Sequence, residues 1–117
     1  MATLSYPDVA EYYAAVQIQT ASKPRAICML HEKCVQFISA ALDSPPERHR
    51  FIIKAQNILA QLQRSLIRED PITQSLFYLY DYCFVTLRGG TDDDLNNAGE
   101  ILAVLRDTFS LLARRPR

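Results

Sequence analysis

The sequence predicts an all-α protein: an antiparallel up-and-down four-helix bundle preceded by a short N-terminal helix or arm. Three observations carry that expectation. Apolar residues recur every three or four positions in four separate segments, the spacing of one buried helix face. Proline falls between segments, at Pro7, Pro24, Pro45-Pro46, Pro71 and Pro116, where it starts or stops helices without breaking them. Glycine is scarce, and the apolar–polar alternation of a half-buried strand is hard to find. A chain of 117 residues then makes one domain with a real core, residues 1–21 forming the arm and 22–113 the bundle.

The arm comes first. Asp8 to about Ile18 carries Val9, Tyr12, Tyr13 and Val16, and a helix this short must dock on something to persist. Ser22 is a good N-cap, with Pro24 in the first turn. The helix that follows runs to about Leu42, with Ile27, Leu30, Cys34, Phe37, Ile38 and Ala41 on its core stripe. Asp43-Ser44-Pro45-Pro46 ends it, and Arg48-His49-Arg50 reads as the solvated start of the next. That second helix buries Phe51, Ile52, Ala55, Ile58, Leu59, Leu62 and Leu66, and turns Lys54, Gln56, Asn57, Gln61 and Arg64 elsewhere.

Asp70 caps the third helix and Pro71 opens it. At about 100° per residue, Ile72, Leu76, Leu79, Tyr80, Cys83 and Leu87 form one face. Phe77 and Phe84 lie to one side of it, and Tyr78, Tyr82 and Val85 to the other. Gln74, Asp81 and Arg88 leave only a narrow polar seam, so this helix has more apolar surface than one core can use. Gly89-Gly90 stops it. The fourth helix starts at Thr91 with Asp92, Asp93 and Asp94 against the positive end of its dipole. Its core stripe is Leu95, Ala98, Leu102, Leu105, Phe109 and Leu112, while Val104 and Leu111 lie off the stripe as a second apolar surplus. Surplus of this kind serves an oligomer interface or a groove for a partner segment, and spacing alone does not choose between them.

Composition excludes several classes. Thirteen basic and thirteen acidic residues cancel, which gives no electrostatic footprint for nucleic acid or an anionic membrane. No segment approaches the roughly 18 apolar residues of a membrane span, and the N-terminus lacks a secretory pattern, so membrane insertion is not expected and the cytosol is. Cys28, Cys34 and Cys83 have no paired spacing and read as free thiols. The three aspartates lack the alternating oxygen ligands of a calcium loop, and capping explains them, so no metal or other cofactor is expected.

Catalytic chemistry is thinly represented. Arg25 and His31 resemble the Arg–His nuclease motif of HEPN domains, but six residues separate them, about 240° around one helix, so they do not share a site in one chain. Cys34 lies one turn from His31 without a third group to orient the pair.

A family resemblance is carried by several stretches in order. Tyr13-x-x-x-Gln17-Ile18-Gln19-Thr20-Ala21-Ser22 is followed by Ile27, Met29 and Leu30. Ile53-Lys54-Ala55-Gln56-Asn57-Ile58 with Leu62 and Ser65-Leu66 comes next, then Leu76-Phe77 with Leu79-Tyr80-Asp81-Tyr82, and finally Leu102, Leu105-Arg106-Asp107 and Phe109. Together they resemble the FliS flagellin-export chaperones from about Tyr13 to Leu112. Departures are Lys23-Pro24-Arg25 where that family has proline and acidic residues, His31-Glu32-Lys33 where it has Tyr-Asp-Gly, and Phe109 for tryptophan.

The resemblance implies a non-enzymatic cytosolic chaperone of flagellar type III export. It would bind the disordered C-terminal segment of flagellin, prevent premature polymerisation and keep the subunit competent for the membrane export gate. It leaves open an anti-sigma factor as second client, and the protein would be a monomer or weak homodimer. The surplus pattern offers Tyr78, Tyr82, Val85, Val104 and Leu111 as binding residues. The motif adds Ile53, Ala55, Ile58 and Leu62, of which Ile53 and Ala55 read equally well as core. It also adds Tyr13, whose arm in that family is thought to occupy the groove until flagellin arrives. The alternative from a different class is a self-associating bundle without an export client.

Overall fold

The structure, a computed structural model, describes residues 24–66 and 71–114. Four helices account for nearly all of them. These are α1 (Pro24–Asp43), α2 (Arg48–Arg64), α3 (Pro71–Gly89) and α4 (Asp92–Ala113), with one 3-10 turn at Pro45–Glu47. The expected caps at Ser22 and Asp70, and the arm with Tyr13, lie outside the described residues.

Cross-helix partners run in opposite order along each neighbouring pair. On α1 and α2, Cys34 meets the Ala55 carbonyl while Ala41 meets Arg48. On α1 and α4, Cys28 reaches the Arg106 carbonyl while Ile38 lies against Gly99. On α2 and α3, Gln56 bonds to Phe84 and Gln63 to Phe77. The helices therefore alternate in direction around a four-cornered bundle. Contact is closest where α1 packs on α4 and α2, and sparser where α3 packs on α2 and α4.

The core follows most of the expected stripes, with Phe51, Leu66, Ile72 and Leu79 only half-buried at its margin, and with one large addition. All of Leu95, Ala98, Leu102, Leu105 and Phe109 are buried, as are Ile52, Ala55, Ile58, Leu59 and Leu62. On α1 the buried set is Ile27, His31, Cys34, Ile38 and Ala41, while Leu30 and Phe37 are only half-buried. His31, absent from the expected stripe, is wholly buried. Its Nε2 shares a 2.8 Å hydrogen bond with the Tyr80 hydroxyl, and its ring leans on Phe109 at 5.2 Å between centroids. Nδ1 has no hydrogen-bond partner among the described residues. Burial disfavours the charged ring and lowers its pKa from 6.5 to about 3, so the imidazole is neutral.

Arg48 was expected in solvent and is mostly enclosed instead. Its Nε donates to the Ala41 carbonyl at 3.0 Å, one Nη to the Gly90 carbonyl at 3.2 Å, and the other pairs with Asp92 at 2.7 Å. One planar guanidinium thus ties the end of α1, the start of α2 and the α3–α4 turn together. In that turn Gly90 adopts a φ of 73°, the left-handed region that stops a helix cheaply only at glycine. Thr91 and Asp94 then exchange backbone-to-side-chain hydrogen bonds at 3.1 and 3.3 Å, a reciprocal cap on α4.

Two stability outcomes follow from these groups. Because the folded pKa of His31 lies below 6.5, the unfolded chain takes up the proton first. Its stabilising contribution is complete above pH 6.5 and is lost as pH falls from 6.5 toward 3. Urea unfolding between pH 7 and 4.5 will show a decline of up to about 1.4 kcal/mol per pH unit from this group. His31→Gln keeps a hydrogen-bonding group for Tyr80 without titrating and will flatten that part of the profile. An unchanged slope would assign the effect to other groups. Arg48→Lys keeps the charge but loses the fork, and will lower stability by about 1–3 kcal/mol in the same assay.

Candidate functional site

Only part of α3 is used by the core. Thr73, Leu76, Tyr80, Cys83 and Leu87 point inward, and the thiol of Cys83 is pushed up to about 12 by burial, so it stays protonated. Phe77, Tyr78, Tyr82 and Val85 face outward, with Tyr78 64% and Val85 52% exposed. The helix forms a ridge with a groove on either flank.

The first groove lies between α3 and α4. The Tyr82 hydroxyl accepts a 2.7 Å hydrogen bond from Asn97 Nδ2, which fixes the register of the two helices there. Counting in opposite directions from that pair brings Tyr78 opposite Ile101, with Val104 one turn further along. Val104 is exposed, and Leu111 continues the same α4 face at 65% exposure. The structure thus gathers Tyr78, Tyr82, Val85 and Val104 on one surface, with Leu111 farther along it. Along the seam of the two helices these exposed side chains make an apolar row, with the Tyr82 hydroxyl and the Asn97 amide near one end.

The second groove lies between α2 and α3. Gln56 and Gln63 donate to the carbonyls of Phe84 and Phe77 at 3.0 and 3.3 Å. Near the Gly90 end it widens into a slot of about 430 Å³. Ile52, Ile53, Phe84 and Leu87 form its apolar walls, and Arg48, His49 and Arg88 stand at its edge. Ile53 is exposed here, whereas Ala55, Ile58 and Leu62 are buried in the core. They shape the groove from behind and present no surface of their own. Phe77, which the sequence placed beside the core face but not among the candidates, is exposed on this flank, and Met29 stands exposed on α1. The signal for Phe77 was its offset of one position from the Tyr78 row.

Arg25 is exposed and His31 is sealed inside the core, so the pair with the nuclease-like spacing does not meet on any surface. Among the described residues no three His, Cys, Asp or Glu side chains are placed to hold a metal, and no helix is long and apolar enough to cross a membrane. Cys28, Cys34 and Cys83 are free thiols. Burial, with smaller effects from neighbouring charges, raises the pKa of Cys28 and Cys34 as well.

Exposed apolar side chains flanking one helix of a four-helix bundle are the kind of surface that serves a partner segment or a second copy. Comparison with known families makes this specific. The chain belongs to the FliS family, described as "Flagellar protein FliS", whose pattern matches residues 6–115. It is similar to the flagellar secretion chaperone FliS of Bacillus subtilis (strain 168), with 30% identity over 77 residues. That match takes in 62% of this chain and 58% of the relative, so the chain spans little more than half of the relative's length. No solved structure matches it.

Core and surface candidates will separate in unfolding experiments. Leu62→Ala should cost about 2–5 kcal/mol of stability, whereas Tyr78→Ser should stay within about 0.5 kcal/mol of wild type. A large loss from Tyr78→Ser would mean that this ring is packed in solution and not free for a partner.

Proposed function

We propose that the protein is a flagellar secretion chaperone that binds the disordered C-terminal region of flagellin in the cytosol. There it prevents premature polymerisation and hands the subunit, still export-competent, to the membrane export gate. Membership of the FliS family and the name of the Bacillus relative support the export role. The observation that carries the binding mode is the outward apolar row of Tyr78, Tyr82, Val85 and Val104, continued by Leu111.

A disordered tail pays its ordering entropy when it binds, so the site must return that cost in buried apolar area. Tyrosines suit the task, because each buries a large ring at little rotamer cost and keeps a hydroxyl for hydrogen bonding. The i, i+4 and i, i+7 spacing of Tyr78, Tyr82 and Val85 accepts the apolar stripe of a helix laid along the row. The α2–α3 slot at Ile53 is a second foothold on the other side of the ridge, so a long tail can engage both flanks of α3. Binding that holds a segment unfolded needs no turnover, and the role is that of a holdase without a catalytic step. Tyr13 and its arm would compete for the same apolar surface before the client arrives.

Calorimetric titration with a peptide covering the C-terminal segment of the host's flagellin tests this. Tight binding with a large negative heat-capacity change is expected. Tyr82→Glu and Val104→Glu should each weaken it by about tenfold or more while leaving the fold intact. A folded protein that binds no such peptide would sink the flagellin reading.

A further inference from the structure

The formal charge of the chain is zero, yet the charge is not evenly spread. Apart from Arg48 and Asp92, which pair with each other, helix α2 carries Arg50, Lys54 and Arg64 and no carboxylate. Helix α4 carries Asp93, Asp94, Glu100 and Asp107 against Arg106 alone. Each of these helices packs on α1 and α3, so they stand at opposite corners of the bundle. One outer edge is basic and the opposite edge acidic.

The outward stripes of the two helices match in detail. Arg50 and Arg64 lie two heptads apart on α2, as do Asp93 and Asp107 on α4, a rise of about 21 Å in each case. Ile53 is three residues in from Arg50, and Val104 is three residues in from Asp107. Laid antiparallel, the two stripes pair Arg50 with Asp107, Ile53 with Val104 and Arg64 with Asp93 in a single register, with Lys54 one turn from Glu100. All of these side chains are exposed. Arg50 contacts Glu47 at 3.3 Å and Asp107 contacts Arg106 at 3.0 Å within the chain. Exposed pairs of that kind are weak and exchange readily for others.

We propose that α2 of one copy docks antiparallel on α4 of a second copy, through this alternation of charged and apolar contacts. The two edges lie on opposite sides, so a pair of chains cannot satisfy both at once by two-fold symmetry. Association is therefore head-to-tail, and each added copy leaves one free edge of either sign. The absence of net charge removes the repulsion that would keep copies apart. Val104 belongs to this contact and to the proposed client row, so a bound client and a docked second copy exclude one another there. The self-association itself does not rest on the client reading.

Sedimentation velocity on the full chain alone, over a concentration series, tests it at about 10 mM and about 1 M salt, where the screening length falls from about 30 to about 3 Å. Wild type should exceed the mass of a dimer as concentration rises in low salt and return to monomer in high salt. Arg50→Glu with Arg64→Glu, and Asp93→Lys with Asp107→Lys, should each remain monomeric in low salt. An equimolar mixture of the two double variants should associate again, because the reversed edges are complementary. Circular dichroism confirms that each variant is folded; if one is not, the wild-type series decides. A wild type that stays monomeric in low salt, or stops at a dimer, overturns the proposal. So do folded variants that associate like wild type, or a mixture that does not recover. No client is present, so such a failure leaves the flagellin reading untouched.

Discussion

Everything in this bundle is arranged around the burial of one face of α1. Ile27, His31, Cys34, Ile38 and Ala41 are all sealed from water, and α2 and α4 close on that face from either side. Small residues stand opposite: Ala55 on α2, whose carbonyl meets Cys34, and Gly99 on α4, beside the Ile38 side chain. In the middle of this packing lies a neutral imidazole, held by Tyr80 on α3 and Phe109 on α4. The histidine is thus a polar group inside the core at which α1, α3 and α4 meet. Its charged form would have to be solvated by a core that offers almost nothing.

The tightness around α1 explains the openness around α3. Once α1, α2 and α4 have covered one another, α3 needs a single inward row to complete the core. Ile72, Leu79 and Phe84 pack against its margin, and Phe77, Tyr78, Tyr82 and Val85 are left exposed, so a helix apolar nearly all round sits on the outside of the bundle. The usual cost of such a surface is aggregation. Here the exposed rings carry hydroxyls at Tyr78 and Tyr82, and the grooves have amide and cationic edges, so the surface is apolar but wettable.

Much of this was legible in the sequence, because helix periodicity reports burial directly. The α4 stripe from Leu95 to Phe109 is buried as its spacing predicts, the outward rows of α3 and α4 were visible as surplus, and the Gly89-Gly90 stop stood where the periodicity ended. The sequence hid what depends on neighbours from other helices. His31 falls on the 27–31–34–38–41 spacing yet is no part of the expected core stripe, and its partner, the Tyr80 hydroxyl, is close only in the folded chain. Arg48 looked like any charged helix start, since its partners at Ala41, Gly90 and Asp92 are close only in three dimensions. Ala55, Ile58 and Leu62 share a motif with Ile53, yet burial separates the three inward residues from the one that faces the slot. The motif does not encode which side of α2 a position occupies; the packing does.

The glutamines between α2 and α3 have a mechanical meaning. Mid-helix carbonyls such as those of Phe84 and Phe77 already serve the backbone ladder of α3, and the side-chain amides of Gln56 and Gln63 use their second lone pairs. Pulling either amide away returns it to water and leaves the helix intact. The two long, unbranched side chains therefore act as tethers with slack. Neither contact is part of the backbone ladder, so the seam between α2 and α3 is joined by side chains that can let go singly, whereas the interior around α1 is held by buried packing.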